Sequence, residues 1–145
     1  MRDPLYTTRA IVAGGRAEGH GRTDDGMLDV QLRLPKETGG EGDGTNPEQL
    51  FAVGFAACFE SALGVVARRE HAEAGDVSIA SSVSLIPGDD RSFNLAVTLE
   101  VSLPSVDDPE LAKRLVAGAH KVCPYSNATR GNIQVTLTAN GEPVS

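Results

Sequence analysis

The chain holds two cysteines, Cys58 and Cys123. Met1-Arg2-Asp3-Pro4-Leu5-Tyr6 lacks the apolar core of a signal peptide, so the expected compartment is the reducing cytoplasm. Structural disulfides are rare there, and a lone pair of cysteines reads as catalytic, metal-binding or unpaired. Cys58 falls in mid-helix, with Gly54, Phe55, Ser61 and Ala62 three and four residues away. All but Phe55 are small, so a substrate or a second helix can approach the sulfur. A mid-helix thiol gets no help from a helix N-terminus, so a reactive Cys58 must take a positive charge from elsewhere. The alternative is a small core residue. Cys123 falls at a helix C-terminus, where the dipole disfavours a thiolate. It is a poor first nucleophile but an adequate second one, able to attack an oxidised sulfur on Cys58. A helix-end cysteine with no role is the competing reading. His120 and Cys123, spaced i, i+3, could be two metal ligands, but no second pair accompanies them, and no metal is expected.

The other side chains with chemical potential each carry a plainer alternative. Arg16 follows Gly14-Gly15 in an expected turn, where a solvated arginine is ordinary. Glu48 has local work open to it, as the partner of Thr45 in a capping box or as a first-turn anion. Phe51, Phe55 and Phe59 recur every four residues on one helix face. Core packing is the default for them, and an apolar wall for a hydrophobic substrate is the alternative, since Cys58 adjoins Phe59. The segment from Val122 to Asn132 concentrates a cysteine, turn formers and hydrogen-bonding side chains in what reads as a loop.

These residues need elements to position them. The 145 residues suit one domain, 1–145, and 40% apolar residues suffice for a core. A net charge of −7 argues against nucleic acid and anionic membranes as partners. The longest near-apolar run, Leu50 to Phe59, is far short of the roughly 20 residues that span a bilayer. Tyr6 to Ala13 has strand composition, Asp24-Asp25-Gly26 signals a hairpin, and Leu28, Val30, Leu32 and Leu34 alternate as a half-buried strand ended by Pro35. Thr38 to Gly44 is a flexible loop whose Glu41 and Asp43 exclude a phosphate-cradling role. A helix follows, with Thr45 or Asn46 as its cap and Pro47 suited to its first turn, and it runs to about Glu70. It is apolar around most of its circumference, the pattern of a buried central helix. Val77–Leu85 and Phe93–Leu103 form an antiparallel pair about the Pro87-Gly88-Asp89-Asp90 turn. Asp107-Asp108-Pro109-Glu110 opens a second helix, with Leu111, Leu115, Val116, Ala119 and Val122 on one face and Pro124 as its stop. Ile133, Val135 and Leu137 close the chain as a short strand. The order implies an α+β fold with a largely antiparallel sheet.

Thr45-Asn46-Pro47-Glu48-Gln49-Leu50-Phe51-Ala52, Ala56-Ala57-Cys58-Phe59 and the Val122 to Asn132 segment together resemble the organic hydroperoxide resistance proteins, a branch of the OsmC-like superfamily. The resemblance spans Tyr6 to Leu137. It implies a thiol peroxidase that reduces organic hydroperoxides to alcohols, with Cys58 as the peroxidatic and Cys123 as the resolving cysteine. Arg16 and Glu48 match the family's active-site arginine and glutamate. The resemblance also implies an OsmC-like fold with antiparallel sheets around two long central helices in an intertwined homodimer. No bound cofactor is implied. The implied reductant is a dihydrolipoyl group, as dihydrolipoamide or a lipoylated protein. Phe55 stands where a tyrosine is frequent in the family, and Asp89-Asp90-Arg91-Ser92 replaces a more glycine-rich turn.

With the resemblance, the residues answer one another. Cys58 needs a cation, Arg16 supplies one, and Glu48 offers the guanidinium a fork-shaped partner. One spatial conflict remains. Glu48 and Cys58 lie ten residues apart on one expected helix, about 15 Å along its axis and offset by roughly 80°. Either the helix is sharply broken between them, or Arg16 and Glu48 of one chain serve Cys58 of a second. With no proline between them, the second is favoured, and with it an obligate two-fold homodimer. A lipid-binding protein that uses the phenylalanine face and a redox sensor that does not turn over are the rival functions. A pure binder needs neither cysteine nor Arg16.

Overall fold

In the computed structural model, which describes residues 2–145, the chain divides into two compact units, Met1–Leu50 and Phe51–Ser145. The first is built on a three-stranded antiparallel sheet in the order β1 (Ala10–Ala13), β2 (Gly19–Thr23), β3 (Asp29–Arg33). The Asp24-Asp25-Gly26 signal gives the β2–β3 turn. Asp25 Oδ1 accepts from the Met27 amide at 2.9 Å and from Thr23 Oγ1 at 2.7 Å, and these bonds hold its carboxyl below the usual carboxylate range.

Three expectations for this unit need correction. The first strand begins at Ala10, not Tyr6, because its partner β2 ends at Thr23, which pairs with Ala10; beyond that pair the Asp24 amide still donates to Arg9 O at 2.9 Å as the chain enters the hairpin turn. The apolar alternation around β3 leaves Leu28 exposed in the turn, while Leu32 is buried. The Gly14-Gly15-Arg16 turn is a single helical turn, α1 (Gly15–Glu18). Gly14 and Gly15 enter it at φ values of 87° and 67°, and a Cβ on Gly19, just past it, would lie 1.9 Å from the Gly15 carbonyl oxygen. Only glycine tolerates these positions at low cost, and they fix where Arg16 projects.

α2 (Pro47–Arg69) starts in the first unit and runs unbroken into the second. Its cap is Asn46, whose Oδ1 accepts from the Gln49 amide at 2.9 Å, with Pro47 at the first helical position. The capping-box alternative fails: Thr45 Oγ1 bonds Gln49 Oε1 at 2.7 Å, which leaves Glu48 free for other work.

The second unit carries a four-stranded sheet in the order β4 (Ser78–Pro87), β5 (Phe93–Ser102), β6 (Gln134–Ala139), β7 (Glu142–Val144). β4 and β5 form the expected hairpin, with Val83 opposite Val97. β5 and β6 are parallel, so the chain must cross over between them, which it does through α3 (Pro109–Val122) and α4 (Pro124–Thr129). The core joins Phe55, Phe59, Leu63 and Val66 of α2 to Val97, Leu99 and Val101 of β5 and Leu115, Val116 and Ala119 of α3.

α2 also corrects two readings. At 23 residues it is long and apolar enough, by length and composition, to cross a membrane, because the small residues beyond Phe59 extend its apolar run. Six of its residues instead belong to this core. It is not buried all round, however: Val53 and Ala57 are exposed on the opposite face. The Val122–Asn132 segment is not a plain loop either, since it contains α4. The mixed α+β architecture stands as expected, with two sheets and, among the described residues, four α-helices where two were expected.

Candidate active site

The two cysteines meet in the second unit. Both are free thiols, Cys58 half-buried on α2 and Cys123 fully buried between α3 and α4. The Cys123 side chain lies within hydrogen-bonding reach of Cys58. Cys123 has two capping roles: its amide donates to Ala119 O at 2.8 Å, closing α3, and its Sγ accepts from the Ser126 amide at 3.5 Å as the cap of α4. This revises its electrostatic setting. The sulfur lies not only at the unfavourable end of α3 but also at the donor-rich start of α4.

Cys58 is set by opposing influences. Burial pushes its thiol above the ordinary value, the backbone N–H of Tyr125 pulls it down, and the adjacent Cys123 pushes it up again. Successive amides of the first turn of α4, those of Tyr125 and Ser126, thus face the two sulfurs. None of the influences on Cys58 is a cation, so its need for one persists within this unit.

The cation and its carboxylate partner pair in the first unit. Arg16 Nη1 donates to Glu48 Oε2 at 3.2 Å and Nη2 to Oε1 at 3.1 Å, a two-pronged bond. α1 supplies the arginine. Glu48 lies in the first turn of α2, and the chain just before that helix is tied to β3 by Thr45 N to Gln31 O at 2.8 Å and Arg33 N to Thr45 O at 2.9 Å.

The phenylalanines divide. Phe55 and Phe59 are sealed in the core, while Phe51 is half-buried. Phe51 and Phe55 meet edge to face, and Tyr125 lies against both with ring centroids 5.8 and 5.7 Å away. The expected wall of three phenylalanines is therefore Phe51 backed by Phe55, with the exposed Tyr125 added and Phe59 behind it in the core.

Tyr125, Ser126 and α4 were missed from sequence. The available signal was Pro124, which stops α3 and equally suits the first position of a new helix. A second was Gly54: a Cβ there would lie 2.8 Å from Tyr125 Oη, so a glycine in mid-helix marks where that ring crosses α2. His120 Nδ1 is bonded to Ser126 Oγ at 2.8 Å, and no group of three or more potential metal ligands occurs among the described residues.

Residues 40–138 match the family of OsmC-like proteins. The chain belongs to the organic hydroperoxide resistance branch of that family. It is 53% identical over 138 residues to the organic hydroperoxide resistance protein of Xanthomonas axonopodis pv. citri, which covers 92% of this chain and 94% of that protein. Among solved structures, an organic hydroperoxide resistance protein of Legionella pneumophila superposes with a TM-score of 0.88 at 50% identity, covering 93% of this chain and 97% of that one. The organic hydroperoxide resistance protein OhrB of Bacillus subtilis gives 0.84 at 46% identity, with 92% and 98% covered. The OsmC-like fold and the place within the family are thus as the motifs implied.

Proposed function

We propose that this protein is a cysteine-based peroxidase that reduces organic hydroperoxides, alkyl and fatty-acid ones above all, to alcohols. The observation that carries the reading is the meeting of Cys58 and Cys123, one thiol half-open and the other buried within its reach. The Cys58 thiolate attacks the distal peroxide oxygen. The O–O bond breaks, the alkoxide takes a proton and leaves as the alcohol, and Cys58 becomes a sulfenic acid. Cys123 attacks the sulfenic sulfur, water leaves, and a Cys58–Cys123 disulfide forms. A dihydrolipoyl dithiol, free or on a lipoylated protein, returns both thiols and is itself oxidised to its disulfide.

Arg16, oriented by Glu48, supplies the cation that Cys58 lacks in its own unit and stabilises charge developing on the peroxide oxygens. Because α2 is unbroken, the sharply broken helix that would bring Glu48 to Cys58 of the same chain is absent. The reading therefore includes a homodimer in which each site draws Arg16 and Glu48 from one chain and the cysteines from the other. Phe51, Phe55 and Tyr125, with Phe59 behind, form the apolar surface for the alkyl group. The whole chain, 1–145, acts as one functional domain in the cytoplasm, with neither nucleic acid nor membrane as a partner.

The test is hydroperoxide consumption by the purified protein with dihydrolipoamide and with a thioredoxin system side by side. Cumene hydroperoxide should be consumed faster than hydrogen peroxide, and with dihydrolipoamide rather than thioredoxin. Cys58→Ser should be inert, while Cys123→Ser should consume about one peroxide per site and then stall. Unimpaired turnover in Cys58→Ser, or a higher rate with hydrogen peroxide, rejects the reading.

A further inference from the structure

His120 joins the two helices that carry the thiol environments. It sits in the last turn of α3, half-buried, with its ring 6.5 Å from that of Phe59, the residue next to Cys58 on α2. Its Nδ1 is bonded at 2.8 Å to Ser126 Oγ, and Ser126 is fully buried. A second tie reinforces the first: the Arg130 guanidinium, just past α4, donates to the His120 carbonyl and, at 2.8 Å, to Asn127 Oδ1. His120 therefore grips α4 near both ends, by its ring at Ser126 and by its backbone through Arg130.

We infer that His120 is a positioning residue for both thiols: its bond to Ser126 fixes the first turn of α4, whose Tyr125 and Ser126 amides face the sulfurs of Cys58 and Cys123. A six-residue helix has little stability of its own and needs tertiary anchors to hold its first turn. A buried serine hydroxyl needs a partner, and the imidazole supplies it. Burial first, and then the nearby Arg130 charge, hold His120 below its ordinary value, so the ring is neutral near pH 7. A neutral imidazole and a hydroxyl can each donate or accept, so the bond survives in either tautomer. Phe59 and Ser126, which lie against this ring, are both uncharged.

This inference rests on the peroxidase reading for its purpose but not for its measurement. The test is the pH dependence of Cys58 alkylation in Cys123→Ser backgrounds, with no hydroperoxide present, in His120→Asn, His120→Gln and Ser126→Ala. Asparagine places its amide nitrogen at the δ position, where the ring has Nδ1; glutamine places it one atom further out. His120→Asn should keep the parent alkylation midpoint. His120→Gln and Ser126→Ala should move it upward by about one pH unit, the consequence of a loosened amide bond to a thiolate. The double variant His120→Gln/Ser126→Ala should match either single one, because both break the same bond. Equal midpoints in His120→Asn and His120→Gln, with native circular dichroism in both, overturn the inference. If the midpoints move as expected while the wild-type protein fails to consume hydroperoxide, the positioning role stands and the peroxidase reading falls.

Discussion

Arg16 and Glu48 are joined by two parallel bonds, although a partly exposed ion pair of this kind adds little to stability. Its value lies in geometry. A guanidinium held by a carboxylate on one edge presents its remaining N–H groups in a fixed direction, and in the proposed reading these meet a thiolate or a peroxide oxygen. Burial alone leaves Cys58 with a raised thiol, a poor starting point for a nucleophile at neutral pH. The Arg16→Ala variant should therefore move the Cys58 alkylation midpoint upward by one pH unit or more and slow peroxide reduction in parallel. Arg16→Lys should recover only part of both, because an ammonium cannot keep a two-pronged bond to Glu48 and still present a planar fork. The measurement is pH-dependent alkylation with iodoacetamide. An unchanged midpoint in Arg16→Ala removes the arginine from any role in stabilising the thiolate.

At the scale of elements, α4 is the part that brings the chemistry together, and also the part that periodicity could not reveal. α3 announces itself through Leu115, Val116 and Ala119 on one face, and β5 through the alternation of Val97, Leu99 and Val101. Each pattern repeats often enough to be read. α4 has six residues, too few for a face to recur, and Pro124 serves two helices at once, as the stop of one and the first residue of the next. β7 escaped for a similar reason: Glu142-Pro143-Val144 is short and carries a proline, which is tolerated because the strand lies at the sheet edge. The residues of the proposed site were named all the same. The cysteines, arginine and glutamate came from the resemblance, whereas the Tyr125 amide came from a backbone whose course no side-chain pattern encodes. Gly54 links α2 to that backbone. Gly54→Ala gains helix propensity of about 1 kcal/mol but sets a methyl group 2.8 Å from Tyr125 Oη, so the exposed ring must swing away. The variant should melt at the wild-type temperature or up to about 4 °C higher, yet label faster at Cys58. A melting temperature more than about 5 °C lower, or an unchanged labelling rate, shows that the ring does not yield as argued.

The whole molecule leaves apolar surface uncovered in a single chain. Val53 on α2 is 71% exposed, Phe93 at the start of β5 66%, and Ile11 and Val12 on β1 59% and 58%. Exposed apolar residues on ordered elements are what a second chain would cover in the proposed homodimer. In the proposed reading a second copy of the chain completes the chemistry, since α2 runs unbroken from Pro47 to Arg69 with Glu48 in its first turn and Cys58 near its middle. If each site takes Arg16 and Glu48 from one chain and Cys58 from the other, two different defects can be separated. Mixing Cys58→Ser with Glu48→Ala chains by co-refolding yields heterodimers in which one site receives the intact Glu48 of the first chain and the intact Cys58 of the second. The remaining site carries both defects. Each variant homodimer should be inactive or nearly so, and the mixture should regain up to about half the wild-type activity per heterodimer, one working site of two. Were the site built within one chain, every site in the mixture would keep one defect. A heterodimer verified by differential tagging that stays as inactive as its parents would exclude the shared site and return the search for the missing cation of Cys58 to its own chain.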